Sequence, residues 1–244
     1  NGIQLHGGLR PFCATFLIFA DYLRPALRLS ALMKLPAIYV LTHDSIYVGE
    51  DGPTHQPVET ISSLRGIPNV WVLRPADAEE TSYAWKMALA RKDGPVCLAL
   101  TRQNITVFPK DDPDWKHTIE CGAYIVRKGS DSPDVTVLAT GSEVSLALAA
   151  ADLVSGKKIR VVSVVSKELF ESQSEVIRNA IVGGSKNSVR IVTAEAGIRM
   201  GWEGWTRDAS DNFSIERFGE SGPANKVAEH LGFTAEALAA VLRK

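Results

Sequence analysis

THDSIYVGEDGPTHQPVE, residues Thr42 to Glu59, is the stretch on which the reading of the chain turns. It follows Ala37-Ile-Tyr-Val-Leu41, a short apolar run rich in β-branched and aromatic residues that reads as a buried strand. The fourteen residues from His43 to Gln56 then pass before Pro57 offers a first-turn proline for the next helix. An ordinary strand-to-helix connection needs about 2–6 residues. This one carries acid beside imidazole twice, at His43-Asp44 and across Asp51 to His55. A neighbouring carboxylate moves histidine across neutral pH, as acid–base work requires. A polar surface loop shaped by turn residues would use similar letters, but long loops leaving the strands of an α/β sheet are where ligands usually sit.

Working outward, the 244 residues are 45% hydrophobic and 23% charged with formal net charge −1, enough for two modest cores. So balanced a charge argues against nucleic acid or an anionic membrane as partner. No apolar run approaches the roughly 18 residues of a membrane span. Cys13, Cys97 and Cys121 lack CxxC spacing, so neither a disulfide framework nor a zinc site is expected, and a reducing cytoplasm fits. The chain opens on Asn1 as if within an element, which suggests a piece of a longer protein.

The pattern before the loop predicts a helix ending at Gly7-Gly8, a strand over Pro11 to Thr15, and a helix within Phe16 to Lys34 with Pro25 in its first turn. Phe16, Phe19 and Tyr22, three apart, would share a face if the stretch coils. After the loop come a helix from Pro57 to about Arg65, a strand at Val70 to Leu73, a capped helix over Asp77 to Lys92 with acids first and bases last, and a strand at Val96 to Leu100. Arg102 just follows that strand as His43 follows its own; if the strands are parallel, both cations project over one edge. Asp111 to Glu120, charged and proline-bearing, marks a domain boundary, giving units 1–115 and 116–244. Strands at 135–139, 159–165 and 189–194 then alternate with helices at 143–154, 172–182, 224–231 and 235–242. Both units read as doubly wound α/β with largely parallel sheets. Thr140 and Glu143 have the spacing of a capping box. His6 and His117 are expected to be structural and solvated, respectively.

HDSIYVGEDGPTHQPVE resembles the substrate loop of the transketolase family, PFCATFLIFADYLR its aminopyrimidine-binding segment, and TGSEVSLALAAADL, Glu195-Ala-Gly197 and FGESGPA its C-terminal domain. The resemblance implies an N-terminally incomplete thiamine-diphosphate-binding pyrimidine domain followed by a transketolase C-terminal domain. It implies that Phe16, Phe19 and Tyr22 bind the cofactor's pyrimidine, and that His43 and Arg102 bind a substrate phosphate. Asp51 would then bind a sugar hydroxyl, and His55 would be both substrate-binding and catalytic beside the reacting carbons. The expected activity is transfer of a two-carbon ketol unit between sugar phosphates, in the pentose phosphate pathway of the cytoplasm. No metal ligand is expected here. The family's magnesium or calcium and the cofactor diphosphate are held by another domain, so a homodimer or the remaining N-terminal portion would complete the site. The family's pyrimidine-binding glutamate lies upstream of what matches Asn1, so the isolated chain is expected to be inactive. Alternatives are the β-subunit of a 2-oxoacid dehydrogenase, a deoxyxylulose-phosphate synthase, or a non-catalytic assembly module; the His43-Asp44-Ser45-Ile46 run and the Pro57-Val58-Glu59 ending favour transketolase.

Overall fold

A computed structural model describes residues 1–185 and 187–244. The first unit runs α1 (Gly2–His6), β1 (Phe12–Phe16), α2 (Ala20–Leu32), β2 (Ile38–Thr42), α3 (Thr60–Arg65), β3 (Trp71–Leu73), α4 (Ala78–Ala90) and β4 (Val96–Leu100). Its sheet has the order β1-β2-β4-β3 and every pairing is parallel. Thr42 of β2 stands beside Leu100 of β4 in register, so the segments holding His43 and Arg102 leave neighbouring strands at the same edge.

The second unit comprises α5 (Trp115–Thr118), β5 (Ala123–Arg127), β6 (Val135–Ala139), α6 (Glu143–Asp152), β7 (Ile159–Val164), α7 (Lys167–Ser172), α8 (Glu175–Val182), β8 (Arg190–Ala194), β9 (Asn212–Phe213), α9 (Ala224–His230) and α10 (Ala235–Arg243). Its order is β5-β7-β6-β8-β9, parallel except for β5. The chain departs from β6 to β7 on one side and later fills β8 on the other, so the carboxyl ends of β6 and β8 flank a topological switch point. Ile38, Val40, Leu73 and Leu98 of the first unit share one buried cluster with Val137, Val161 and Leu238 of the second. The two sheets are therefore built around a continuous core.

Several boundaries depart from the sequence reading. A 3-10 turn at Leu17–Phe19 leads into α2, which starts at Ala20 and puts the exposed Pro25 inside the helix instead of its first turn. α3 begins at Thr60, because Val58 spends its carbonyl on the amide of Ile198 across the units (3.1 Å). Arg91 lies beyond α4, turned to Asn69 and Pro95 instead of the helix carbonyls. Residues 115–121 are helical, not featureless linker. β5, α7 and the two-residue β9 were not expected from the sequence.

Candidate active site

The geometry starts from backbone. β2 ends at Thr42, and His43 takes φ +60°, a left-handed conformation uncommon for a non-glycine residue. This turns the imidazole onto Phe16 at the end of β1, the rings stacking at 3.6 Å with 16° between planes. Phe16 in turn stacks on Phe19 at 6.0 Å, and Phe19 lies 6.0 Å from Tyr22. The strand, the 3-10 turn and the first turn of α2 thus carry the three aromatics as a ribbon. His55 closes it from the far end of the loop, its ring edge-on to Phe19 at 5.7 Å and to Phe16 at 6.5 Å. Tyr22 is 85% exposed, so the ribbon opens to solvent. An exposed aromatic ledge of this kind suits a flat heteroaromatic ring, each stacked contact being worth about 0.5–1.5 kcal/mol.

Charge is added at one end. Burial and the nearby Arg102 guanidinium lower the His43 pKa, with Asp51 and Asp44 pulling the other way. His43 is therefore neutral at pH 7, and Thr42 Oγ1 lies 3.0 Å from its Nδ1. Arg102 is exposed and in no salt bridge with a described residue. Thr54 Oγ1 lies 2.9 Å from His55 Nδ1. The rim therefore gathers His43, His55, Phe16, Phe19 and Tyr22 in ring contact, with Arg102 and Asp51 within electrostatic reach of His43. Among the described residues no His/Cys/Asp/Glu cluster could hold a metal ion.

Behind the rim the exposed tip of the loop gives way to buried residues that anchor it. Ile46 is wholly buried, clustered with Val58 and with Ala196, Ile215, Val227 and Phe233 of the second unit. Asp44 is buried as well, and its carboxylate accepts from Nε of Arg74 at 2.8 Å. Arg74 is 0% exposed, with Nη1 donating to Thr140 Oγ1 (2.7 Å) and to the Glu143 carboxylate. Thr140 donates onward to Glu195 at 2.7 Å, and Glu195 also takes a bidentate pair from Arg65 (2.7 and 2.8 Å) and the Trp202 indole N–H (3.0 Å). Burial alone would weaken the charge on Arg74; Asp44, Glu143 and Glu195 more than offset this and keep it protonated. Thr140 and Glu143 are thus not a capping box: the cap of α6, Ser142, makes no side-chain capping bond, and both residues serve the arginine network. No local sequence signal sets Arg74 apart, although it follows a strand just as Arg102 does.

Two domains of known type account for this arrangement. The family described as "Transketolase, pyrimidine binding domain" matches residues 1–107, and "Transketolase-like TK C-terminal domain" matches residues 122–234. The chain is 58% identical over 243 residues to the transketolase of Treponema pallidum, covering 99% of this chain and 36% of that protein. The transketolase of Leishmania mexicana superposes with a TM-score of 0.92 at 40% identity, covering 100% of this chain and 35% of the other. A solved structure described as a split-gene transketolase, inactive β4 tetramer, superposes with a TM-score of 0.78 at 25% identity, covering 99% of this chain and 78% of the other. The chain belongs to the transketolase family and corresponds to its pyrimidine-binding and C-terminal domains. It spans about a third of the length of the curated relatives it matches.

Proposed function

We propose that this chain supplies the pyrimidine ledge and the sugar-contacting surface of a transketolase, which moves a two-carbon ketol unit from a ketose phosphate to an aldose phosphate. The observation that carries the reading is the continuous ring contact from His43 through Phe16 and Phe19 to His55, with Arg102 beside His43. Thiamine diphosphate, when bound, supplies the carbon centre that accepts and releases the two-carbon unit. Phe16, Phe19 and Tyr22 hold its pyrimidine by stacking. Arg102 binds the substrate phosphate through its fork of donors, and neutral His43 adds an imidazole N–H to the same group. Each hydrogen bond to such a charged group contributes roughly 1.5–3 kcal/mol. Asp51 accepts from a sugar hydroxyl, and an unpaired carboxylate there penalises substrates that lack it. His55 lies against the aromatic ledge and there hydrogen-bonds, or moves a proton at, a hydroxyl of the reacting carbons.

In this reading the divalent metal, magnesium or calcium, and the diphosphate are held by the remaining portion of the protein, and a homodimer or that portion completes the site. We place the boundary between the two domains at the start of α5 (Trp115–Thr118), in the stretch between the two matched segments. The enzyme acts in the cytoplasm, in the pentose phosphate pathway. The chain alone is inactive; the inactive tetramer of the split-gene relative is consistent with that. The test is to mix the chain with the N-terminal portion of its protein, thiamine diphosphate and magnesium, and to assay ketol transfer. Turnover that needs both polypeptides is expected. Robust turnover by the chain alone, or none by the mixture, overturns the reading.

A further inference from the structure

The carboxyl edge of an open parallel sheet at its switch point usually receives a ligand. In the second unit that crevice lies between the segments after β6 and β8, and a side chain of the first unit fills it. Arg74 enters it with no exposure, contacting Thr140 and Glu143 after β6, while Glu143 also accepts from the Ala196 amide after β8 at 2.9 Å. Gly141 makes room: a Cβ there would sit 2.8 Å from Arg74 Nε. Backbone bonds seal both sides, from the Arg74 amide to Val165 O (2.7 Å) and from the Gly141 amide to Arg74 O (3.1 Å). What Arg74 then holds is Asp44, the residue next to His43 with its left-handed backbone.

The other end of the loop is held by the same domain. Gln56 is buried, and its Nε2 donates to Gly49 O within the loop (2.9 Å) and to Glu220 O outside it (3.0 Å). Ser221 Oγ donates to Glu50 O at 2.6 Å. The fit is close. Gly49 and Gly52, both at positive φ, would place a Cβ 3.3 Å from Gly222 O and Ser221 Cβ, and a Cβ on Gly219 would collide with the Gln56 amide. Asp51 and His55 lie between these fixed points.

We propose that the C-terminal domain is the positioning element of the substrate loop, acting through Arg74 on His43 and through Gln56 and Ser221 on Asp51 and His55. The inference rests on the function proposed above for those loop residues, but it concerns the loop's geometry and is read separately. Gln56, Arg74 and Ser221 are positioning residues; none touches the substrate.

The test uses the complete protein that contains this chain, with Gln56→Ala and Ser221→Ala. Amide exchange is followed at Gly49, Gly52 and His55 alongside KM for a ketose phosphate, affinity for thiamine diphosphate, and the unfolding temperature. Gln56→Ala is expected to speed exchange at those amides about tenfold and to raise KM by a similar factor, since misplacement of about 1 Å costs up to a hundredfold. Cofactor affinity and exchange in β6 and β8 stay unchanged, which a merely structural loss would not allow. Ser221→Ala, which removes one exposed hydroxyl, gives a smaller change in the same direction and serves where Gln56→Ala does not fold. Arg74→Lys retains more of the wild-type KM than Arg74→Met. Unchanged exchange at the three amides, or activity lost only in proportion to folded protein, overturns the inference. If the wild-type protein transfers no ketol unit, the proposed function fails while the exchange measurement still decides this one.

Discussion

Arg74 and Arg102 each follow a strand of the same parallel sheet, β3 and β4, yet one is sealed in a crevice and the other stands open to solvent. Their settings separate the molecule into a buried seam and an open rim. In the seam, guanidinium and carboxylate groups are paired with one another, so the charges buttress the fold. On the rim, a cation, a neutral imidazole, the half-buried Phe16 and Phe19 rings and the exposed Tyr22 remain available to a ligand. The lesson is that position on the carboxyl edge does not define a binding residue; what the neighbouring domain covers does. Substitutions on the rim should accordingly change activity with little effect on stability, whereas those in the seam should cost stability in addition to any shift of the loop.

The largest effect is expected in the seam. Arg74→Met leaves Asp44 and Glu143 buried without their cation, and should lower unfolding free energy by about 3–5 kcal/mol. Arg102→Met should change it by no more than about 0.5 kcal/mol. Chemical denaturation of both variants checks the contrast, and equal losses would erase the distinction between seam and rim.

The seam also predicts a pH optimum of stability. Burial raises the Glu80 carboxyl, which accepts from Tyr124 Oη across the units at 2.6 Å, to about 7. Its contribution is full below pH 4.5 and is lost as pH rises through 7. Burial pushes Glu195 upward too, but Arg65, Arg74 and Trp202 prevail and hold it at about 2. That contribution is full above pH 4.5 and is lost as pH falls toward 2. Each is worth on the order of 3 kcal/mol. Unfolding temperature measured against pH should therefore peak at about pH 4.5, where the two windows meet, and decline on both sides; a flat profile from pH 4 to 8 would contradict the assignment.

On the rim the effects are smaller and kinetic. In the complete protein, Asp51→Ala should narrow discrimination between ketoses with and without the contacted hydroxyl, by about 1.5–3 kcal/mol in kcat/KM. Smaller again, Phe19→Ala or Tyr22→Ala should weaken thiamine diphosphate binding by about 0.5–1.5 kcal/mol, read by titration calorimetry, with stability nearly unchanged for the exposed Tyr22.

Much of the rim was legible in the sequence. β2 and β4 were visible as apolar runs, and their parallel pairing follows from alternation with helices, so the common edge of His43 and Arg102 was a geometric consequence. The seam was not legible, because its partners are far apart in the chain and its letters have local meanings. Thr140 and Glu143 spell a cap, but a buried arginine competes for both side chains and wins. Pro57 spells a helix start, but Val58 bonds across the units and delays it. β5 carries no clear local signal because it is a short antiparallel edge strand entered through Gly122 at φ +90°, and α7 none because it is a single short helix whose Phe170 stacks on the distant Trp205.

The most direct test of the rim is the ratio of kcat/KM for a ketose phosphate to that for the same ketose without phosphate, in the complete protein and its Arg102→Met variant. A wild-type preference that collapses by about ten- to a hundredfold in the variant, with the unphosphorylated ketose unaffected, is predicted. An unchanged ratio would mean that Arg102 does not bind the phosphate, and would contradict the site as drawn.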